Sequence, residues 1–203
     1  IRAEGFDPTY CVYLRTTNTT NVSGNRLSCQ SQRVGSGIFL RDSHANTLDG
    51  NLVTSFSGGL ALEPQGAVYL YQSNTNFVIH NTLLGSRPIG LHLFDSSSTG
   101  VFNNTLRNSS VNGLLLEYSG KSAISNNTVC QNQVLDFNVS NSTNNKGGNN
   151  TCDLPDGWND TGEIGCTFSC ACAASANSST GTGPVTFYTD DCTPILGLRA
   201  VPE

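Results

Sequence analysis

Apolar residues recur along the chain in pairs separated by one position, and each pair precedes an asparagine at a constant distance. Asn25, Asn51, Asn81, Asn104, Asn127 and Asn150 serve as registration marks. Thirteen residues before them stand Val12, Ile38, Val68, Leu91, Leu114 and Phe137, and eleven before stand Leu14, Leu40, Leu70, Leu93, Leu116 and Val139. Eight before stand Thr17, Ser43, Ser73, Ser96, Ser119 and Ser142. Three before stand Val22, Leu48, Val78, Val101 and Ile124, with Gly147 the one exception, and two after stand Leu27, Val53, Leu83, Leu106, Val129 and Cys152. The marks lie 26, 30, 23, 23 and 23 residues apart, so all length variation falls between blocks.

Two inward apolar residues flanking one outward residue make a short strand of period two. A Ser or Thr turns the chain, a further inward apolar residue follows, and the Asn opens the next corner. Stacked at about 4.8 Å, successive blocks place like residues above one another. Aliphatics then form a dry core, and the six asparagines form a ladder whose amides satisfy groups in the coils above and below. Gly24, Gly50, Gly37, Gly90 and Gly113 fall at the bends, where permissive backbone angles are expected. The pattern predicts an all-β fold: a right-handed single-stranded parallel β-helix of about six coils over 1–152, followed by a cysteine-rich segment over 153–203. A leucine-rich-repeat horseshoe has a similar period, but it requires more leucines and a helical or extended return.

Composition adds the compartment. Charged residues make up 12% of the chain and the net charge is −5 with ten Lys plus Arg, which argues against nucleic acid or an anionic membrane as partner. No run of eighteen apolar residues occurs, so no membrane-spanning helix is expected. The sequence starts at Ile1 without any Met, as a secreted protein does once its signal peptide is removed. Eight cysteines and ten N-x-[ST] sequons also point to a secreted, extracellular or cell-surface location.

Cys11 and Cys29 bracket the first coil, and Cys130 and Cys152 occupy nearly matching places on consecutive coils, so each pair is a disulfide candidate. Cys166, Cys170, Cys172 and Cys192 lie in the tail, where disulfides are favoured over a zinc site, and any of the eight could instead bond a second subunit. Asn18, Asn21, Asn108, Asn141, Asn159 and Asn177 are the glycosylation candidates. Asn103, Asn126 and Asn149 immediately precede ladder residues, so glycans there would crowd.

The strings GLHLFDSSSTGVFNNTLRN (90–108) and GLLLEYSGKSAISNNTVCQN (113–132) resemble coils of the NosD-like and pectate-lyase-like β-helix superfamily, a resemblance covering about 11–152. NNTCDLPDGWNDTGEIGCTFSC (149–170) resembles the ending of repeat-built surface proteins of methanogenic archaea. This resemblance implies a sheath or surface-layer protein.

Packing explains the inward columns, so function is sought outside. Phe39, Tyr69, Tyr71, Phe94 and Leu115 form an outward apolar patch, a candidate interface of a size that soluble monomers rarely leave bare. Three covers are open: residues 153–203, a neighbouring subunit, or sugar rings. Superfamily members that cleave polysaccharides use clustered carboxylates, sometimes with Ca²⁺ and a basic residue. Here Asp42 and Asp95 share a column two coils apart with Gln72 between them, and Glu117 lies one coil beyond in the neighbouring column. No third acid completes a cluster, although Arg41 precedes Asp42. His44, His80 and His92 fall in three columns, read as surface or corner positions, so no copper or other metal site is expected. The expectation is a non-enzymatic, cofactor-free structural subunit of an archaeal sheath, surface layer or filament. Its partners would be copies of itself, with other envelope proteins or glycans besides. The alternative is a polysaccharide-binding or polysaccharide-cleaving β-helix.

Overall fold

A computed structural model of the chain describes residues 10–31, 35–57 and 66–170, together with the short strands Arg2–Gly5, Phe187–Tyr188 and Pro194–Ile195. The chain winds through about five full turns of a parallel β-helix, close to the expected six. Three parallel sheets run along the stack, and neighbours in each follow chain order. The first sheet has seven strands, from Val12–Arg15 through Gly66–Tyr71, Ile89–Phe94 and Asn112–Glu117 to Leu135–Ser140 and Pro155–Asp156. The second runs from Asn21–Ser23 to Lys146–Gly148, and the third from Arg2–Gly5 to Thr128–Cys130.

The register is the one the columns require. Leu91 pairs with Val68 on one side and Leu114 on the other, and Val101 lies between Val78 and Ile124. A one-residue slip would turn these side chains to the outer face. All six are fully buried, with Leu27, Val53, Leu83, Leu106 and Val129 of the third sheet closing the core.

Each ladder asparagine from Asn51 onward accepts at Oδ1 from the backbone N–H of its predecessor: Asn51 from Asn25 at 3.1 Å, Asn104 from Asn81 at 2.8 Å, Asn150 from Asn127 at 3.0 Å. Its Nδ2 donates to a carbonyl of the coil before, as Asn104 does to Val78 at 2.8 Å. A serine ladder does the same at the first corner, where Ser73 N–H donates to Ser96 Oγ and Ser96 N–H to Ser119 Oγ, both at 2.9 Å. A third polar ladder is not among the columns read from the sequence: Thr20, Asn46, Asn76, Thr99, Ser122 and Asn145 share one position. Asn46 N–H donates to Asn76 Oδ1 at 2.8 Å, and Ser122 N–H to Asn145 Oδ1 at 2.9 Å.

Gly24 and Gly50 have φ of 64° and 63°, and Asn103, Asn126 and Asn149 adopt nearly the same angle at that position, as Asn tolerates. Gly37 and Gly90 correct the expectation, because neither has a positive φ. They are required by close approach: an added Cβ would sit 2.7 Å from the Ala67 carbonyl oxygen or 2.5 Å from that of Gly113. Gly113 likewise has no room for a Cβ, which would meet the side chains of Val129 and Asn132.

Residues 153–170 fold over the last coil. Trp158 is buried and stacks on Phe137 with centroids 5.4 Å apart. The indole explains why glycine interrupts the inward column at position 147, where a Cβ would meet the Ile124 carbonyl and lie 3.1 Å from the ring. The carboxylate of Asp160 then takes the place of a seventh ladder residue, accepting Asn150 N–H at 2.9 Å and Asn150 Nδ2 at 2.6 Å.

Two disulfides fasten this cap, Cys130–Cys170 and Cys152–Cys166. The expected Cys130–Cys152 bond is therefore corrected. Cys152 continues the inward column that contains Val129, while Cys130, one position further along, points out of the sheet. Side chains at such an offset face opposite sides. Cys11 is also disulfide-bonded. The side chains of Cys29, Cys172 and Cys192 lie outside the described residues. Disulfides of this kind belong to an oxidising, non-cytoplasmic compartment.

Candidate functional site: the outer face and corner of the first sheet

The outward residues of the first sheet form two columns. Tyr13, Phe39, Tyr69 and His92 stack face to face with successive centroids 5.2, 5.1 and 4.8 Å apart. The inner part of the outward patch needs no second subunit or sugar to cover it: Phe39, Tyr69, His92 and Leu115 are all buried within the single chain.

The second column stays accessible. Tyr71 stacks on Phe94 at 5.5 Å, Arg41 lies over the Tyr71 ring at 5.7 Å, and Phe94 meets the edge of Tyr118 at 5.6 Å. Tyr71 and Phe94 are half-buried and Tyr118 is 53% exposed. Tyr118 was not among the sequence candidates. It sits in the left-handed bend after the strand, with φ of 51°, in the column that also holds Asp42, Gln72 and Asp95. The bend turns its ring back over the sheet.

Beyond Tyr118 the corner between the first and second sheets opens into a polar groove of about 530 Å³, lined by Asp95, Ser97, Tyr118, Lys121, Asn141 and Asn144 among others. It crosses several coils, so it runs along the helix axis. The three acids considered from sequence do not converge. Asp42 pairs with Arg41 at 3.6 Å, Asp95 accepts from Gln72 Nε2 at 3.3 Å, and Glu117 Oε2 lies 3.5 Å from His92 Nε2.

His92 departs most from expectation. Rather than a surface or corner residue, it is fully buried in the aromatic stack. Neither ring nitrogen makes a hydrogen bond among the described residues. Burial pushes its pKa down to about 3, so the imidazole is neutral beside the Glu117 carboxylate. His44 Nδ1 instead accepts Asn74 N–H at 3.0 Å, and exposed His80 meets Asp49 at 3.0 Å. No group of three or more potential metal ligands occurs among the described residues. Of the glycosylation candidates, Asn18, Asn21, Asn108, Asn141 and Asn159 are exposed, and Asn177 lies outside the described residues.

Among solved structures, a mutant of the periplasmic alginate epimerase AlgG matches with a TM-score of 0.60 and 24% identity, covering 70% of this chain and 32% of that one. This chain therefore spans about a third of that protein's length. Weaker matches are a second AlgG structure, with a TM-score of 0.45, 11% identity and coverage of 72% and 42%, and the Dettilon tailspike protein, with a TM-score of 0.38, 12% identity and coverage of 72% and 38%. No curated protein matches the chain. The expectation of a non-enzyme is corrected by the first of these: coils of this architecture occur in an epimerase, so the repeat is no ground for excluding catalysis. The sequence model described as "Right handed beta helix region" matches residues 10–183, and the chain belongs to that family.

Proposed function

We propose that this protein acts on extracytoplasmic polysaccharide, holding the polymer across the coils on the accessible column of the first sheet. One observation carries the reading: the aromatic row Tyr71, Phe94 and Tyr118 runs directly into a groove walled by amides, hydroxyls and a carboxylate. Aromatic faces take the apolar faces of sugar rings, while fixed polar groups around them select hydroxyl positions. The alginate epimerase that shares the fold supports the same substrate class. At the C-terminal end Trp158, Asp160 and two disulfides cover the last coil, which does not favour stacking of copies end to end there.

The test is affinity electrophoresis against a panel of soluble polysaccharides. Retardation of the wild type, weakened about tenfold (~1.4 kcal/mol) by Tyr118→Ala, supports the reading. A wild type that migrates unretarded in every polymer overturns it.

A second reading, modification of the bound polymer, is favoured by His92. A buried polar group without a partner costs about 1–3 kcal/mol, and such groups mark sites where chemistry offsets the cost. His92 is fully buried and neutral, so it stands behind Glu117, 3.5 Å away, whose half-buried carboxylate on the accessible column is the proton acceptor of this reading. Incubation with each retained polymer, followed by NMR of its ring protons, decides the matter. Altered sugar signals that Glu117→Gln abolishes without loss of retardation support modification, and unchanged polymer rules it out.

A further inference from the structure

The chain contains only two lysines, Lys121 and Lys146, and both line the same corner. The 530 Å³ groove continues past Lys121 and Asn144 into a second hollow of about 440 Å³ that ends at Lys146. Both side chains are exposed, and neither forms an ion pair among the described residues. Lys121 occupies a left-handed corner position, φ 58°, where the other coils carry Thr19, Ala45, Thr75, Ser98 and Asn144. Its backbone is pinned by a bond from its N–H to the Thr143 carbonyl at 3.1 Å, so the ammonium projects from a fixed base. Asp95 stands at the opposite end of the groove, already engaged by the Gln72 amide. In a molecule of net charge −5, the groove thus runs from a carboxylate to two ammonium groups.

We infer that Lys121 and Lys146 form an anion subsite that selects acidic polysaccharides, taking the carboxylate or sulfate of a sugar unit whose ring lies toward Tyr118. This rests on the polysaccharide-binding reading and adds the charge class of the ligand and its direction in the groove. An ammonium is a point charge with three rotatable donors, suited to an anion whose orientation varies along a flexible polymer. Asp95 repels a second anion at its end, so an acidic polymer seats with its charged substituents toward Lys146. Exposed ammonium–anion contacts are worth about 1 kcal/mol each, about fivefold in affinity.

The experiment measures binding of three oligosaccharides of equal length to the intact protein by titration calorimetry: an oligouronate, a sulfated oligomer and a neutral oligomer. Tighter binding of either acidic ligand supports the inference if it weakens about fivefold in Lys121→Gln or Lys146→Gln and on the order of twentyfold in the double variant. Which acidic ligand binds identifies carboxylate or sulfate as the anion. Arg26→Gln, an equal loss of charge on the third sheet and away from the groove, should leave the affinity unchanged. Equal affinity for the neutral ligand, or lysine variants that bind as the wild type does, overturns the anion subsite while polysaccharide binding stands. Absence of binding to all three overturns both.

Discussion

Asp160 stands where the asparagine ladder runs out. Asn150 points an N–H and an amide N–H₂ toward it, Trp158 Nε1 donates at 2.9 Å, and Thr167 donates from N–H and hydroxyl at 2.8 and 2.7 Å. Every group facing the site is a donor, so the site needs a residue that only accepts, and an ionised carboxylate meets that need. Burial pushes the Asp160 carboxyl up, but the bonds from Asn150 and Thr167 outweigh it and its pKa is lowered overall. The stability it contributes is present above the ordinary carboxylate pKa and is lost as pH falls through the lowered value. Asp160→Asn would turn an amide toward those donors and is expected to cost about 2 kcal/mol in urea unfolding at pH 7. His92 acts in a higher window. The unfolded chain protonates this residue below its ordinary value of 6.5 and the folded chain only below about 3, so acidification between those values weakens the fold. His92→Phe keeps the stack and should flatten the melting-temperature profile across that interval, sparing on the order of 4 kcal/mol of the acid-dependent loss near its lower end.

The ladders are the elements that make the stack cooperative, since each Asn satisfies groups on the coil before and the coil after. Asn104→Ala, in the middle, should destabilise by about 3 kcal/mol, whereas Asn25→Ala, half-exposed at the first rung, should cost under about 1 kcal/mol. Opening Cys152–Cys166, which spans 14 residues, by alanine replacement of both should remove about 3 kcal/mol in the same assay. Much of this level was legible in the sequence. Inward aliphatics and ladder asparagines keep one chemistry per column, because each stacks on its own kind. The ladder through Asn46, Asn76, Thr99 and Ser122 escaped notice because any short side chain with an acceptor oxygen fills it. Cys130 and Cys152 were misjudged because one residue of offset reverses the face, and Asp160 was invisible because a terminus occurs once and has no column. The outward direction of Phe39, Tyr69 and His92 could be counted off, but what covers an outward residue is not encoded in its period.

For the whole molecule, a closed C-terminal end and an open lateral face divide the surface into a part that resists partners and a part that admits them. Reduction should release the cap from Leu135–Ser140 and bare its strand edge, which is a template for pairing with another chain. Light scattering should then rise under reductant, with no change in the oxidised protein. The corner groove depends on neighbouring coils for its walls, so its chemistry belongs to the stack and to no single turn. Among the last four ladder positions each rung is 23 residues, with the same bonds above and below. A gene can therefore gain or lose one rung by duplicating or deleting a stretch such as 104–126 without disturbing either terminus. A protein lengthened in this way should fold with one more step of side chains along its flank. The reach of the molecule along a polymer is then a quantity that unequal recombination can adjust in steps of about 4.8 Å.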